Sequence, residues 1–88
     1  MVKLNTTGSM SRVDIRGFDG DITYLYSYST IIGYVKDGKA ILNNHYYSST
    51  TAKHQAKFRE MYSLDKGDTF ELGAFYKRAD LDGVYINK

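Results

Sequence analysis

Apolar and polar residues alternate along three stretches of the first half of this chain, then give way to a helical period. Arg12-Val13-Asp14-Ile15-Arg16 alternates charge with an apolar residue, the period-2 signature of a half-buried strand. Gly17-Phe18-Asp19-Gly20-Asp21 is turn chemistry. Ile22 to Tyr28 alternates again, with Ile22, Tyr24, Tyr26 and Tyr28 on one face and Thr23, Leu25 and Ser27 on the other. Leu25 stands alone among hydroxyl side chains, so the tyrosine face is expected to turn inward as core and rim packing under a helix. Residues 31–36 and 39–43 flank Asp37-Gly38, the preferred pair for a two-residue type I′ turn. That turn sets Lys36 against Lys39, Val35 against Ala40, Tyr34 against Ile41 and Gly33 against Leu42. Ile31, Val35, Ala40 and Leu42 then form the face expected to meet the core, with Ile32, Tyr34 and Ile41 on the other.

Asn43-Asn44 is a further turn signal, and His45-Tyr46-Tyr47 reads as a short strand. Ser48, Ser49, Thr50 and Thr51 offer hydroxyls to cap free N–H groups at a helix start. A helix over about residues 50–62 places His54, Phe58, Met61 and Tyr62 on one packing stripe, with Lys53, Lys57 and Glu60 on the solvated face. Gly67 is expected to close it or its trailing turn. Asp68 and Glu71 match a capping box, and Leu72, Phe75, Tyr76 and Ala79 take helical spacing. Phe70, Leu72, Ala74 and Tyr76 fit a strand equally well, and a second short helix over about residues 69–80 is the favoured reading. Val84-Tyr85-Ile86 ends the chain as a short strand. The fold class is α+β: a small, mostly antiparallel sheet of three to five strands with the main helix packed on it.

The 88 residues suffice for one domain over 1–88, with 1–10 as a loose, polar lead-in. Apolar residues make up 42% and aromatics 15%, the latter being nine Tyr and four Phe, which is too much apolar material for a disordered chain. A core built on tyrosine is thin, because each hydroxyl must reach water or a partner. No cysteine is present, so disulfides and thiolate metal sites are excluded and a reducing compartment suits the chain. No apolar run is long enough to span a bilayer and no signal-peptide core is evident, which reads as a soluble cytoplasmic protein with no membrane partner. Net charge is +2, and the excess sits on residues 51–62, where Lys53, Lys57 and Arg59 face only Glu60. That is far less than a duplex-DNA binder needs for its many phosphate contacts.

Catalytic signatures are missing. A serine mechanism would need His45 or His54 beside a hydroxyl, and no nucleophile elbow accompanies them. His54 is expected to border the core with its nitrogens satisfied. Asp19-Gly-Asp21 and Asp80-Leu-Asp82-Gly83 echo calcium-loop spacing without the remaining ligands, and no phosphate loop occurs, so no metal and no cofactor is called for. The chain is expected not to be an enzyme. The one constellation with directed chemistry runs from Ser48 to Lys57. Hydroxyls at a helix N-terminus favour an anion, Lys53 and Lys57 extend positive charge, and Tyr46 and Tyr47 lie just before. Such parts make a phosphate-contacting, base-stacking surface for single-stranded nucleic acid.

Residues 25–58 resemble a domain of unknown function found in small phage and mobile-element proteins. The likeness is carried by Tyr26, Ser27, Tyr28 and Thr30, by Ile32, by Asp37 and Gly38, and by Tyr47, Ser48, Thr50, Thr51 and His54. One departure is Ile31, where relatives often carry proline, which bears on strand continuity between Tyr28 and Ile32. The resemblance implies a phage-type regulator, nucleic-acid binder or inhibitor of host defence, acting in the cytoplasm of a bacterial host. The expected function is non-enzymatic binding of nucleic acid through Lys53, Lys57, Arg59, Thr50 and Thr51, the tyrosines Tyr34, Tyr46 and Tyr47, and the hairpin lysines Lys36 and Lys39. The alternative is an anti-CRISPR-like inhibitor that occludes the surface of a host protein or nucleoprotein complex. A Tyr-rich edge strand also leaves room for a homodimer. The third reading is a small hydrolase built on His54.

Overall fold

Four antiparallel strands follow one another as a meander in the order β1 (Met10–Ile15), β2 (Ile22–Ser27), β3 (Thr30–Lys36) and β4 (Lys39–Leu42). Two helices, α1 (Ser49–Met61) and α2 (Leu72–Leu81), complete an α+β fold. This computed structural model describes residues 10–16 and 20–86. The expected lead-in falls outside these residues except for Met10, and so do residues 17–19 of the first expected turn. Far from being loose, Met10 opens β1 fully buried.

The β3–β4 hairpin has the register its turn dictates. Lys36 opposes Lys39, Val35 opposes Ala40, Tyr34 opposes Ile41 and Gly33 opposes Leu42. Asp37 and Gly38 both take positive φ, +54° and +76°, as a type I′ turn requires.

The expected faces of β3 are corrected by a β-bulge. Leu25 pairs with Gly33, but Tyr26 pairs with Ile31, so Ile32 is an extra residue in β3. An extra residue resets the period-2 alternation. Ile32 therefore joins Leu25, Leu42 and Phe58 in the core beneath α1, while Ile31 turns to the opposite face. Gly33 lies where β2, β3 and β4 crowd together. A Cβ there would stand 2.9 Å from both the Ile41 carbonyl oxygen and Leu42 Cγ, inside any real carbon contact.

Both faces of the sheet are covered, where one was expected. Tyr34 and Ile41 pack against Phe75 and Ala79 of α2 and against Val84 and Ile86 of the tail. The chain reaches that face by passing over the β4 edge. Phe70 N–H donates to the Leu42 carbonyl at 2.9 Å, and Asn44 N–H donates to the Phe70 carbonyl at 2.8 Å. The β2 tyrosines are redistributed accordingly. Leu25, not the tyrosine face, meets α1. Tyr24 packs with Ile22 beneath α2, its hydroxyl donating to the Tyr85 carbonyl at 3.0 Å. Tyr28 is exposed in the β2–β3 turn with φ +57°.

Ser63, just past the C-cap Tyr62, closes α1, and Gly67 falls within the 3₁₀ turn that trails it. Ser63 takes φ +57°, its N–H donates to the Glu60 carbonyl at 3.3 Å, and Leu64 N–H reaches the Arg59 carbonyl at 2.8 Å. That pair of bonds is a Schellman ending, with Leu64 joining the same core as Phe58. The expected capping box at Asp68 is also displaced. Asp68 Oδ2 accepts from Asp65 N–H at 2.9 Å, closing a 3₁₀ turn over Lys66–Asp68, and α2 begins at Leu72 with Glu71 as N-cap. His45–Tyr47 and Val84–Ile86 are not strands. The first is an extended linker held to α1. In the second, buried Val84 and Ile86 serve as side-chain plugs without sheet hydrogen bonds.

Candidate functional site

The hydroxyls at the start of α1 turn inward. Ser48 is the N-cap, and its Oγ accepts from Thr51 N–H at 3.1 Å. Its own hydroxyl donates to Thr51 Oγ1 at 3.2 Å, Thr51 Oγ1 lies 2.9 Å from Ser27 Oγ, and Ser27 Oγ lies 2.6 Å from His54 Nδ1. Thr51 is only 5% exposed and His54 1%. Thr51 is therefore corrected from a ligand contact to an interior one, its hydroxyl engaged with β2. The expectation that both His54 nitrogens are satisfied is also corrected, since Nε2 is buried without a hydrogen-bond partner among the described residues. The Tyr28 ring packs 5.8 Å from the imidazole, between centroids.

A second polar knot fixes the linker before α1. Gln55 Nε2 donates to Asn43 Oδ1 at 3.0 Å and to the His45 carbonyl at 3.0 Å. Asn43 Oδ1 also accepts from His45 N–H at 3.2 Å, and Asn43 Nδ2 donates to the Tyr47 hydroxyl at 3.3 Å. His45 is thereby held through its backbone and Tyr47 through its hydroxyl, while Tyr46 between them is 69% exposed. Bonds on the residues flanking Tyr46 reduce the backbone freedom that this segment loses on binding.

Beside Tyr46 lies an open depression of about 200 Å³, bounded also by Asn44, Gln55, Arg59 and Lys66. It combines an exposed ring, two cations and two amides, of which the exposed Asn44 offers both donor and acceptor groups. Arg59 and Tyr46 are brought together as the sequence suggests, whereas Asn44 and Lys66 went unrecognised. Asn44 reads in sequence only as a turn residue and Lys66 only as the neighbour of Gly67. Their meeting depends on the Schellman ending, which folds residues 64–66 back beside the α1 flank.

The other candidates scatter. At about 100° per helical residue, Lys53 and Lys57 lie roughly 120–160° around α1 from Arg59, so the three cations do not form one row. Lys53 and Thr50 are exposed and Lys57 is half-buried. Lys36 and Lys39 sit at the far hairpin tip, around a basin of about 330 Å³ shared with Arg78 and Asp82. There Lys36 Nζ donates to the Asp82 carbonyl, and Arg78 Nε pairs with Asp82 Oδ2 at 3.1 Å. Tyr34 is corrected outright. Expected as an exposed platform, it is fully buried, its ring near Phe75 and its hydroxyl donating to Asp82 Oδ2 at 2.6 Å. Burial and that carboxylate both push its phenol pKa up. Tyr47 is half-buried, its pKa likewise raised by burial against the opposing effect of the Asn43 bond.

Among the described residues, no cluster of His, Cys, Asp or Glu stands ready to hold a metal ion, and no helix is long and apolar enough to cross a membrane.

Comparison with known proteins places the chain by sequence. A family model, described as a family of unknown function, matches residues 3–74, most of the chain. The chain belongs to that family, DUF8033. A search of curated proteins and a search of solved structures each returned no match. The DUF8033 span takes in the four strands, α1 and the Tyr46 depression, and it ends in the first turn of α2.

Proposed function

We propose that this chain is a non-enzymatic, phage-type binding protein that holds single-stranded nucleic acid at the Tyr46 depression, in the cytoplasm of a bacterial host. The observation that carries the reading is the exposed Tyr46 ring, which shares one depression with Arg59, Lys66 and Asn44. A base stacks on Tyr46, Arg59 and Lys66 meet the flanking phosphates, and Asn44 offers hydrogen bonds to a base edge or sugar. Stacking on an exposed aromatic is tolerant of sequence and contributes about 1–3 kcal/mol per base. Two phosphate contacts give weak, salt-sensitive affinity, with log K falling against log salt at a slope of about −1.4. Lys53, Lys57 and Thr50 lie around the helix from this surface; the two lysines add only longer-range attraction, and Thr50 takes no part. Fluorescence anisotropy of a labelled oligonucleotide at rising salt tests the reading, with Tyr46→Ala and Arg59→Ala/Lys66→Ala as variants.

A second reading, the anti-CRISPR-like inhibitor of a host protein or nucleoprotein, draws on Leu81 and Tyr85. Both are strongly exposed large hydrophobics near the C-terminal end of the chain, a feature suited to a protein interface or to a second copy of this chain. It predicts binding that salt barely weakens.

A further inference from the structure

The largest of the concave features described, about 400 Å³, opens on the other side of the linker that presents Tyr46. Tyr26 from β2, Tyr47 from the linker and Tyr76 from α2 bring three rings to it, with Ser29, Thr30 and Ile31 closing the β2–β3 end. None of its lining residues is charged at neutral pH. That sets it apart from the hairpin basin and the Tyr46 depression, both of which hold cations. The Tyr47 hydroxyl accepts from Asn43 Nδ2 at 3.3 Å, so its own proton remains to be donated, and Ser29 and Thr30 at the exposed end add further donor–acceptor groups. The Tyr26 hydroxyl makes no hydrogen bond to the described residues.

From this geometry we infer that the cleft is a receiving pocket for one neutral heteroaromatic ring, a nucleobase turned out of a single strand. Three aromatic rings supply faces and edges for a planar ligand, and the hydroxyls supply partners for its polar edge. A purely apolar occupant, such as a leucine or phenylalanine side chain, would desolvate the Tyr26, Ser29 and Thr30 hydroxyls without replacing their water partners, which is costly. An anionic group would meet no cation. The choice of a nucleobase rests on the nucleic-acid reading of the Tyr46 surface. Tyr46 and Tyr47 are consecutive, so their Cα atoms are about 3.8 Å apart and one strand can reach both sides of the linker. The base stacked on Tyr46 is then bound without regard to sequence, whereas the base in the cleft is selected by shape and hydrogen bonding.

The test uses free adenosine and uridine, which carry no phosphate and so do not call on Arg59 or Lys66. Titrated into the whole protein and followed by amide NMR, one of the two nucleosides should give saturable shifts at Ser29, Thr30 and Tyr47. Its Kd should be roughly millimolar, in keeping with a small ligand, and unaffected by salt. Ser29→Trp, placed at an exposed turn, should fill the mouth and abolish those shifts while the fold and the salt slope of oligonucleotide binding persist. An oligonucleotide carrying abasic sites should bind more weakly than the intact one, and Ser29→Trp should shrink that difference to the part contributed by stacking on Tyr46. If oligonucleotides bind through Arg59 and Lys66 but neither nucleoside shifts the cleft, the pocket is wrong and the phosphate surface stands. If nucleosides shift the cleft while oligonucleotides ignore Arg59 and Lys66, the pocket stands and the phosphate surface is wrong. Shifts that survive Ser29→Trp overturn the pocket.

Discussion

Gln55 Nε2 lies 3.0 Å from the carbonyl oxygen of His45, joining the second turn of α1 to the linker that carries Tyr46. Through this bond and its companion to Asn43, a buried helix residue anchors the backbone one step before an exposed ring. Replacing Gln55 by leucine keeps the volume and removes the donor. The Asn43 side chain and the His45 carbonyl then lose a partner. The expected result is a loss of about 1–3 kcal/mol in a urea unfolding series, together with several-fold weaker oligonucleotide binding at temperatures where the variant remains folded.

The Ser27–His54 contact is a separate interior device. Ser27→Ala leaves both His54 Nδ1 and Thr51 Oγ1 short of a partner and is expected to cost about 1–3 kcal/mol. His54→Leu removes an imidazole that already carries one unpartnered nitrogen, so it should cost less than a fully bonded histidine would. In the double variant the two losses should fall short of their sum by about 0.5 kcal/mol or more, because each single change breaks the same bond. Additive losses in that cycle would show the 2.6 Å contact to be energetically empty.

Gly33 is held by space and not by its backbone angles. An added methyl group meets the Ile41 carbonyl and Leu42 Cγ, and the backbone oxygen cannot move without parting β3 from β4. Gly33→Ala should therefore destabilise by about 1–3 kcal/mol or prevent folding. Gly67→Ala, where open space surrounds the site, should leave the midpoint of unfolding nearly unchanged.

How much of this was legible in the sequence differs from element to element. The Asp37-Gly38 hairpin was fully readable, since two adjacent residues that accept positive φ leave one register open. The α1 helix was readable within a residue because its cap and the His54–Phe58 pair are local. Met61, expected on the packing stripe, is exposed, and Thr51 and Gln55 are buried in its stead. The bulge at Ile32 was not, because it expresses how β3 fits between β2 and β4, and no short-range pattern records that. The burial of Tyr34 was missed for a related reason. Alternation shows which residues share a face but not that a later helix will cover it. At the candidate site, Tyr46 and Arg59 were identified from residue type. Asn44 and Lys66 were overlooked because they meet through a Schellman ending at Ser63, where sequence suggested a glycine.

Alkaline stability should follow the buried phenols. Tyr34 has its pKa raised above the ordinary value of 10.0, first by burial and then by the Asp82 carboxylate. In the unfolded chain Tyr34 loses its proton near pH 10, while in the folded protein it keeps it. Its contribution is therefore complete below that pH and is lost as pH rises toward the folded-state value. Tyr24 and Tyr47, raised chiefly by burial, act in the same direction. Unfolding free energy should fall steadily above about pH 10, and Tyr34→Phe should make that fall shallower while lowering stability at neutral pH through the lost bond to Asp82. A Tyr34→Phe profile parallel to the parent would contradict the assignment.

The central claim is that Tyr46, Arg59 and Lys66 form one surface for a single strand. Oligonucleotide affinity measured against salt for the parent, Tyr46→Ala and Arg59→Glu/Lys66→Glu tests it most directly. The account predicts that Tyr46→Ala lowers affinity by about ten-fold or more with the salt slope preserved, and that the charge reversal removes most of the slope along with the binding. Equal affinities and equal slopes for all three proteins would contradict it.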